Sequence, residues 1–295
     1  MNEQSGSAVR SGRPETVAAG LANEPSAAAG HERRGGAAPN DPVGRELDGA
    51  VAVLTMQLAP HNLLGQLLVD ELLASLAWAQ SQGARAVLLR SGLRHFCAGA
   101  DLDAFGAAVA RGEVSDFGFV KLLRAFDALP IPIVASVHGV CVGGGFELAL
   151  ASDLVVVSES AKLGCVESTL GLHPLMGAVQ RITQRAGATR AKEMALLGRR
   201  YDPRTLERWG LINRVVADEQ LEAVTHTLAQ ELAHGPTVAH AATKALVSVT
   251  IDRGVAAADD AMAQLQLPIW SSEDLKAGLA SFAQEGPGMA RFEGR

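Results

Sequence analysis

Val-His-Gly-Val-Cys-Val-Gly-Gly-Gly-Phe-Glu-Leu-Ala, residues 137–149, sets a glycine triplet two residues ahead of a glutamate. Three consecutive glycines let a backbone approach a ligand closely, because no Cβ intervenes. The apolar, Ala-rich run behind them predicts that Gly143 and Gly144 open a helix. A helix N-terminus offers free N–H groups and the positive end of a dipole, so it can hold developing negative charge. Glu147, just inside that helix, is placed to work as an acid or a base. Glu167 stands twenty residues further on.

Working outward, a second junction of the same kind lies upstream. An apolar strand at 85–89 leads through a turn to Cys97-Ala98-Gly99-Ala100-Asp101, which reads as a bend into another helix. Asp101 at its start has the chemistry of an N-cap. Two strand–glycine–helix junctions can aim two backbone N–H groups at one oxygen, as an enolate or oxyanion requires.

Elsewhere the chain alternates. Residues 51–56, 133–137 and 154–157 read as strands. Leu64, Leu68, Leu72 and Leu76 recur at i+4 and predict a helix. Residues 117–129 read as a helix ending before Pro130. Leu221, Val224, Leu228 and Leu232 mark a later helix, and residues 237–249 the next. Strands followed by helices predict an α/β first part and an all-helical C-terminal part. Residues 1–47 are rich in Ala, Gly, Ser, Pro and charge without periodicity. They are expected to form a disordered tail, lacking a secretory apolar core or the acid-poor composition of a transit peptide. The domains expected are therefore 1–47 (tail), 48–235 (core) and 236–295 (helical).

The net charge of −6 and the absence of a basic block argue against nucleic acid. Every long apolar run is broken by Gly, His or acid, so no membrane span is expected. Three cysteines, Cys97, Cys141 and Cys165, read as buried thiols of a reduced, cytoplasmic protein. There is no G-x-S-x-G elbow, no dinucleotide fingerprint and no zinc-ligand spacing.

These motifs resemble the crotonase superfamily, also called the enoyl-CoA hydratase/isomerase family. The resemblance rests on Phe96-Cys97-Ala98-Gly99-Ala100-Asp101-Leu102, Pro130-Ile131-Pro132, the Gly-Gly-Gly-x-Glu segment, Ala151-Ser152-Asp153, Glu167 with Leu170-Gly171-Leu172, Gln180-Arg181 and the Ser272–Gly278 segment. It covers residues 48–295. It implies a spiral of ββα turns followed by a helical C-terminal trimerisation region, and a trimer or dimer of trimers. It also implies an acyl-CoA thioester substrate, with coenzyme A entering only as part of that substrate and no separate cofactor or metal.

By resemblance, the oxyanion donors are the N–H groups of Ala98 and Gly144, and Glu147 and Glu167 are the two catalytic carboxylates. Ala100, Asp101, Leu102, Gly143, Pro174, Leu175, Lys276 and Phe282 match positions near substrate or CoA. The implied reaction is hydration of a 2-enoyl-CoA. Isomerisation, decarboxylation or hydrolysis of an acyl-CoA on the same scaffold are the alternatives, and a non-catalytic binding protein is a further one. One departure bears on the substrate. Leu175-Met176-Gly177-Ala178-Val179 stands where many hydratases have a run of small residues, which places larger side chains near the acyl pocket. His173 stands in the same loop and reads as a wall or surface residue.

Overall fold

The computed structural model describes residues 41–113 and 117–295. The order is β1 (Val43–Asp48), β2 (Val51–Met56), α1 (Gln66–Ser81), β3 (Ala86–Ser91), α2 (Leu102–Ala110), α3 (Phe119–Ala128), β4 (Ile133–Val137), β5 (Val140–Val142), α4 (Gly144–Ala151), β6 (Leu154–Ser158) and β7 (Lys162–Gly164). A 3₁₀ turn at Glu167–Leu170 follows. Then come α5 (Ala178–Leu197), α6 (Pro203–Arg208), β8 (Arg214–Val216), α7 (Leu221–Ala233), α8 (Thr237–Arg253), α9 (Val255–Leu265), α10 (Leu267–Ser271) and α11 (Glu273–Glu285). The α/β class, with helices gathered at the C-terminal end, is as the sequence predicts.

Two layers of strand pairing organise the chain. The larger is a six-stranded sheet in the order β1-β2-β3-β4-β6-β8, parallel except for the antiparallel β1–β2 pair. Its inner strands β2, β3, β4 and β6 are rich in Val, Leu and Ala and mostly buried on both faces, as a parallel sheet covered by helices demands. The smaller layer consists of short parallel pairings. β5 pairs with β7, Cys97 bridges to Cys141, and Leu64 bridges to Ala100. Each turn of the chain thus runs along the large sheet, bends, and contributes a few residues to the small one before its helix. That is the spiral the resemblance implies.

Two expectations are corrected here. The predicted tail ends too late: residues 1–40 lie outside the described residues, but Val43–Asp48 is strand β1, paired with β2 from Val43↔Met56 to Asp48↔Val51. As an edge strand it buries Val43 and exposes Glu46, while Arg45 reaches across to Ser75 and Glu71 of α1, so its charges mimic a solvated tail in the sequence. Leu64 is not in α1, which starts at Gln66; it is fully buried in the bridge to Ala100. The buried face of α7 is centred on Leu221, Thr225, Ala229 and Ala233, with Val224, Leu228 and Leu232 flanking it.

The helical C-terminal part is tied to the sheet by specific cations. Lys244 of α8 bonds the Ile131 carbonyl at 3.0 Å and Asp153 at 2.6 Å, and Asp153 also accepts from the Ile133 N–H that starts β4. Arg85, just before β3, donates to Thr237 and to the carbonyls of Gly235 and Phe292.

Candidate active site

α4 begins where the glycines predict. Gly143 is its N-cap at φ +53°, a left-handed conformation that glycine adopts without steric cost. Its N–H is used by the Gly164 carbonyl at 2.9 Å. The next N–H, of Gly144, is the first of the helix, and no backbone acceptor takes it among the described residues. Side chains would not fit here: a methyl on Gly144 would lie 2.9 Å from Leu64 Cδ1, and one on Gly145 would lie 2.4 Å from the Cys97 carbonyl.

The upstream junction differs from its sequence reading. The Ala98 N–H donates to the His61 carbonyl at 3.1 Å, so it is engaged within the fold. Along a regular strand N–H groups alternate sides, and Ala100 would face the same neighbour as Ala98. Gly99, at φ +105°, resets that phase. The Leu64 N–H bonds the Gly99 carbonyl and the Asp101 N–H bonds the Leu64 carbonyl. The Ala100 N–H is thereby turned away from Leu64, and no backbone acceptor takes it among the described residues. A methyl built on Gly144 would lie 4.0 Å from the Ala100 nitrogen, so these two open N–H groups are neighbours. The open N–H at this junction is thus that of Ala100 and not the expected Ala98, because donor direction depends on the partner strand and on Gly99.

Asp101 is the N-cap of α2, accepting from the Asp103 and Ala104 N–H groups at 3.1 and 3.2 Å. A cleft of about 260 Å³ adjoins the Leu64–Ala100 bridge, lined by Leu58, Leu63, Gly65, Gln66, Leu67 and Asp101 among others. Leu102 is half exposed at the start of α2.

Glu147, on the first turn of α4, is 2% exposed. Its Oε1 accepts two N–H bonds, from Met176 at 2.8 Å and from Ala178 at 2.9 Å. Ala178 is the first residue of α5, so the carboxylate sits at that helix's N-terminus. Burial pushes its pKa up to about 7, the two backbone bonds oppose this, and the neighbouring Glu167 adds to it. Sequence reasoning missed Met176 and Ala178 as partners, since their contribution is a backbone N–H. Pro174 is buried and Leu175 half exposed in the segment leading to them.

Glu167 starts the 3₁₀ turn. Both of its carboxylate oxygens are sealed from solvent and have no hydrogen-bond partner among the described residues. A methyl on Gly143 would lie 3.2 Å from its Oε1, so this carboxyl faces the same glycine turn that presents the Gly144 N–H. Burial raises its pKa; the nearby Val166 and Glu167 backbone and the His173 ring oppose that. The loop folds back on itself, with the Leu172 N–H on the Glu167 carbonyl at 3.1 Å, which brings His173 toward Glu167. His173 Nδ1 donates to the Pro174 carbonyl at 2.8 Å.

The structure therefore brings together Glu147, Glu167, Gly143, Gly144 and Ala100. Lys276 and Phe282 are elsewhere: both are exposed on α11, Lys276 pairs with Glu273 at 2.8 Å, and no hydrogen bond or ion pair joins either to the glutamates among the described residues. The three cysteines are free and buried, and burial raises the thiol pKa of each, Cys97 to about 12, so none is a nucleophile as it stands. Among the described residues no group of side chains could hold a metal ion, and no helix is long and apolar enough to cross a membrane.

Known proteins resemble this chain over most of its length. The chain is 35% identical over 207 residues to carnitinyl-CoA dehydratase of Proteus mirabilis, covering 68% of this chain and 78% of that one. It is 37% identical over 220 residues to enoyl-CoA hydratase domain-containing protein 2, mitochondrial, of Mus musculus, covering 70% and 71%. The crystal structure of an enoyl-CoA hydratase from Bacillus anthracis superposes with a TM-score of 0.79 at 26% identity, over 86% of this chain and all of that one. The family model for enoyl-CoA hydratase/isomerase matches residues 46–294. With the spiral, the open N–H pair and the buried carboxyls already in place, the chain belongs to the enoyl-CoA hydratase/isomerase family of the crotonase superfamily.

Proposed function

We propose that this protein adds water across the C2–C3 double bond of a 2-enoyl-CoA thioester, or runs the reverse dehydration. The observation that carries the proposal is the presence of two buried carboxyls, Glu147 and Glu167, next to one pair of open backbone N–H groups. The donors are Gly144 and Ala100, replacing Ala98. They polarise the thioester carbonyl and hold the enolate oxygen, which makes C3 electrophilic and C2 basic.

Water oxygen then bonds to C3 while its proton passes to a glutamate. The C2–C3 π electrons move onto the thioester as the enolate, and C2 takes a proton to finish. Glu147 holds and activates the water; Glu167 delivers the proton to C2. Their mutual repulsion and burial support one being protonated and one ionised near neutral pH, although such a pair titrates as a unit. This chemistry requires no electron transfer and no Lewis acid; coenzyme A enters as the thiol half of the substrate's thioester and stays bonded to the acyl group throughout.

The runner-up is double-bond isomerisation, in which a single glutamate moves one proton. The double N–H bond to Glu147 Oε1 favours it, because that carboxyl then has a structural occupation. Self-association as a trimer or a dimer of trimers is part of the proposal. Trp270, Leu279 and Phe282, each more than 60% exposed on the C-terminal helices, support a covered face there. The free cysteines support a reducing compartment, cytoplasmic in this reading.

The test is mass spectrometry of a panel of short, long, branched and aryl 2-enoyl-CoA esters in ¹⁸O- and deuterium-labelled water. Oxygen label in product that is lost in Glu167→Gln and Glu147→Gln is the expected result. Deuterium exchange or a moved double bond without added oxygen would sink hydration and establish isomerisation.

A further inference from the structure

Asn62 lies outside every motif used so far, yet it is fully buried and adopts a left-handed backbone at φ +52°. Asparagine tolerates that conformation better than other side chains with a Cβ, but the site still has to hold it there. Its side-chain amide is used from several directions. Oδ1 accepts from the Leu58 N–H at 2.8 Å; Nδ2 donates to the Phe96 carbonyl at 3.0 Å and to Ser91 Oγ at 2.9 Å, with a longer contact to the Met56 carbonyl. Its own backbone carbonyl accepts the Cys97 thiol at 2.9 Å. One residue thus joins the end of β2, the end of β3 and the start of the segment that carries Ala100.

The bonds on either side of it complete a zipper. The Ala98 N–H meets the His61 carbonyl, the Leu64 N–H meets the Gly99 carbonyl, and the Asp101 N–H meets the Leu64 carbonyl. The direction of the Ala100 N–H follows from this register, and Asn62 sits at its head. Ser91 extends the anchor: its hydroxyl donates to the His95 carbonyl at 2.7 Å while accepting from Asn62 and from the Leu93 N–H.

We propose that Asn62 is a positioning residue for the oxyanion site, locking residues 61–64 onto residues 96–101 so that the Ala100 N–H meets the substrate carbonyl. The proposal rests on the reading of Ala100 and Gly144 as the donors. Asn62 touches no substrate on this account. Its effect falls on the polarisation of a bound thioester and on kcat, with KM nearly constant, because ground-state binding uses other contacts.

The test uses the full-length protein and a chromophoric probe, cinnamoyl-CoA bearing a para-dimethylamino group, whose absorption moves to the red when its carbonyl is polarised. Wild type, Asn62→Gly and Ser91→Ala are compared for that shift and for kcat and KM on the best substrate of the panel. Asn62→Gly keeps the backbone conformation accessible while removing the amide. Ser91→Ala removes one anchor of that amide and guards against a first variant that does not fold. The expected result is a red shift in wild type that is largely lost in Asn62→Gly and reduced in Ser91→Ala. With it, kcat should fall by roughly 10–100-fold in Asn62→Gly and less in Ser91→Ala, as a small misplacement of a catalytic group produces. A wild-type shift retained in full by both variants, with kcat within about twofold, would overturn the role of Asn62 and leave the oxyanion reading standing. No shift in wild type with bound probe would overturn the oxyanion reading itself, and the proposal with it.

Discussion

In the large sheet, β2, β3, β4 and β6 run five or six residues each, and Leu54, Leu88, Val134 and Val156 are at most 1% exposed. In the small layer, pairing lasts one to three residues and then stops at a glycine or turns into a helix. The first region is continuous ladder and apolar filling. The second interrupts its ladders at Gly99 and Gly143, leaving the Ala100 and Gly144 N–H groups without backbone acceptors. The difference teaches where stability and chemistry are kept: one layer closes its hydrogen bonds and the other leaves a chosen few open. Buried polar groups without partners are costly, so the second layer is held by the first.

The comparison is sharpest if catalysis and stability separate when each layer is altered. Glu167→Gln should lower turnover by about 10²–10⁴-fold, the range for a lost proton-transfer group, with thermal stability unchanged or slightly raised because a buried unpartnered carboxyl is removed. Measured kcat near the wild-type value would remove Glu167 from the mechanism. Gly144→Pro deletes one N–H at the first helical position but presses on Leu64 Cδ1, so it is compared with Gly144→Ala, which adds the same Cβ and keeps the N–H; the proline should cost about 10²–10³-fold in kcat beyond the alanine. A folded variant with normal kcat would break the donor assignment.

Leu88→Ala, in the large sheet, should do the opposite: a loss of about 2–5 kcal/mol in chemical denaturation with kcat per folded molecule nearly unchanged. A drop in kcat without loss of stability would mean that the two layers are not distinct in this way. Next comes pH. The Glu147 carboxyl has a folded pKa raised from 4.5 to about 7, so the folded state binds its proton more tightly than the unfolded state. The resulting stabilisation is complete below about pH 4.5 and is lost as pH rises through about 7, a change of about 3 kcal/mol. Denaturation across that window should show stability falling with pH in wild type and a flatter profile in Glu147→Gln; equal slopes would refute the assignment. The smallest effect is expected at the sheet edge, where the Arg45–Glu71 pair is about one third exposed; Arg45→Ala should cost under about 1 kcal/mol by denaturation.

The large sheet was legible in the sequence because its strands are apolar and bounded by turns. Residues 133–137 were read to the residue, and α1 and α7 announced themselves by periodicity. The small layer was not legible by the same means. β5 and β7 have three residues each, below the length at which alternation can register, and β7 contains a lysine and a glycine. β1 hid its pairing behind Arg45 and Glu46. At the site, Glu147 and Glu167 were found because carboxylates carry chemistry in their side chains. Ala100, Met176 and Ala178 act through N–H groups, which every residue but proline has, so a side-chain alphabet says little about them. Asn62 escaped for a related reason: its amide acts on another segment's backbone.

Between the two pinned ends of the site lies α2, capped by Asp101 at one side of the Ala100 bridge. Of its residues only Ala108 is buried, while Leu102 and Val109 are half or more exposed. In engineering terms α2 is a cassette with two fixed points, Ala108 and the Phe105 ring stacked 4.7 Å from Phe117. Residues of other polarity can be grafted at its exposed positions beside the bridge, while the Asp101 cap and the Leu64–Ala100 bridge keep the donor pair in register.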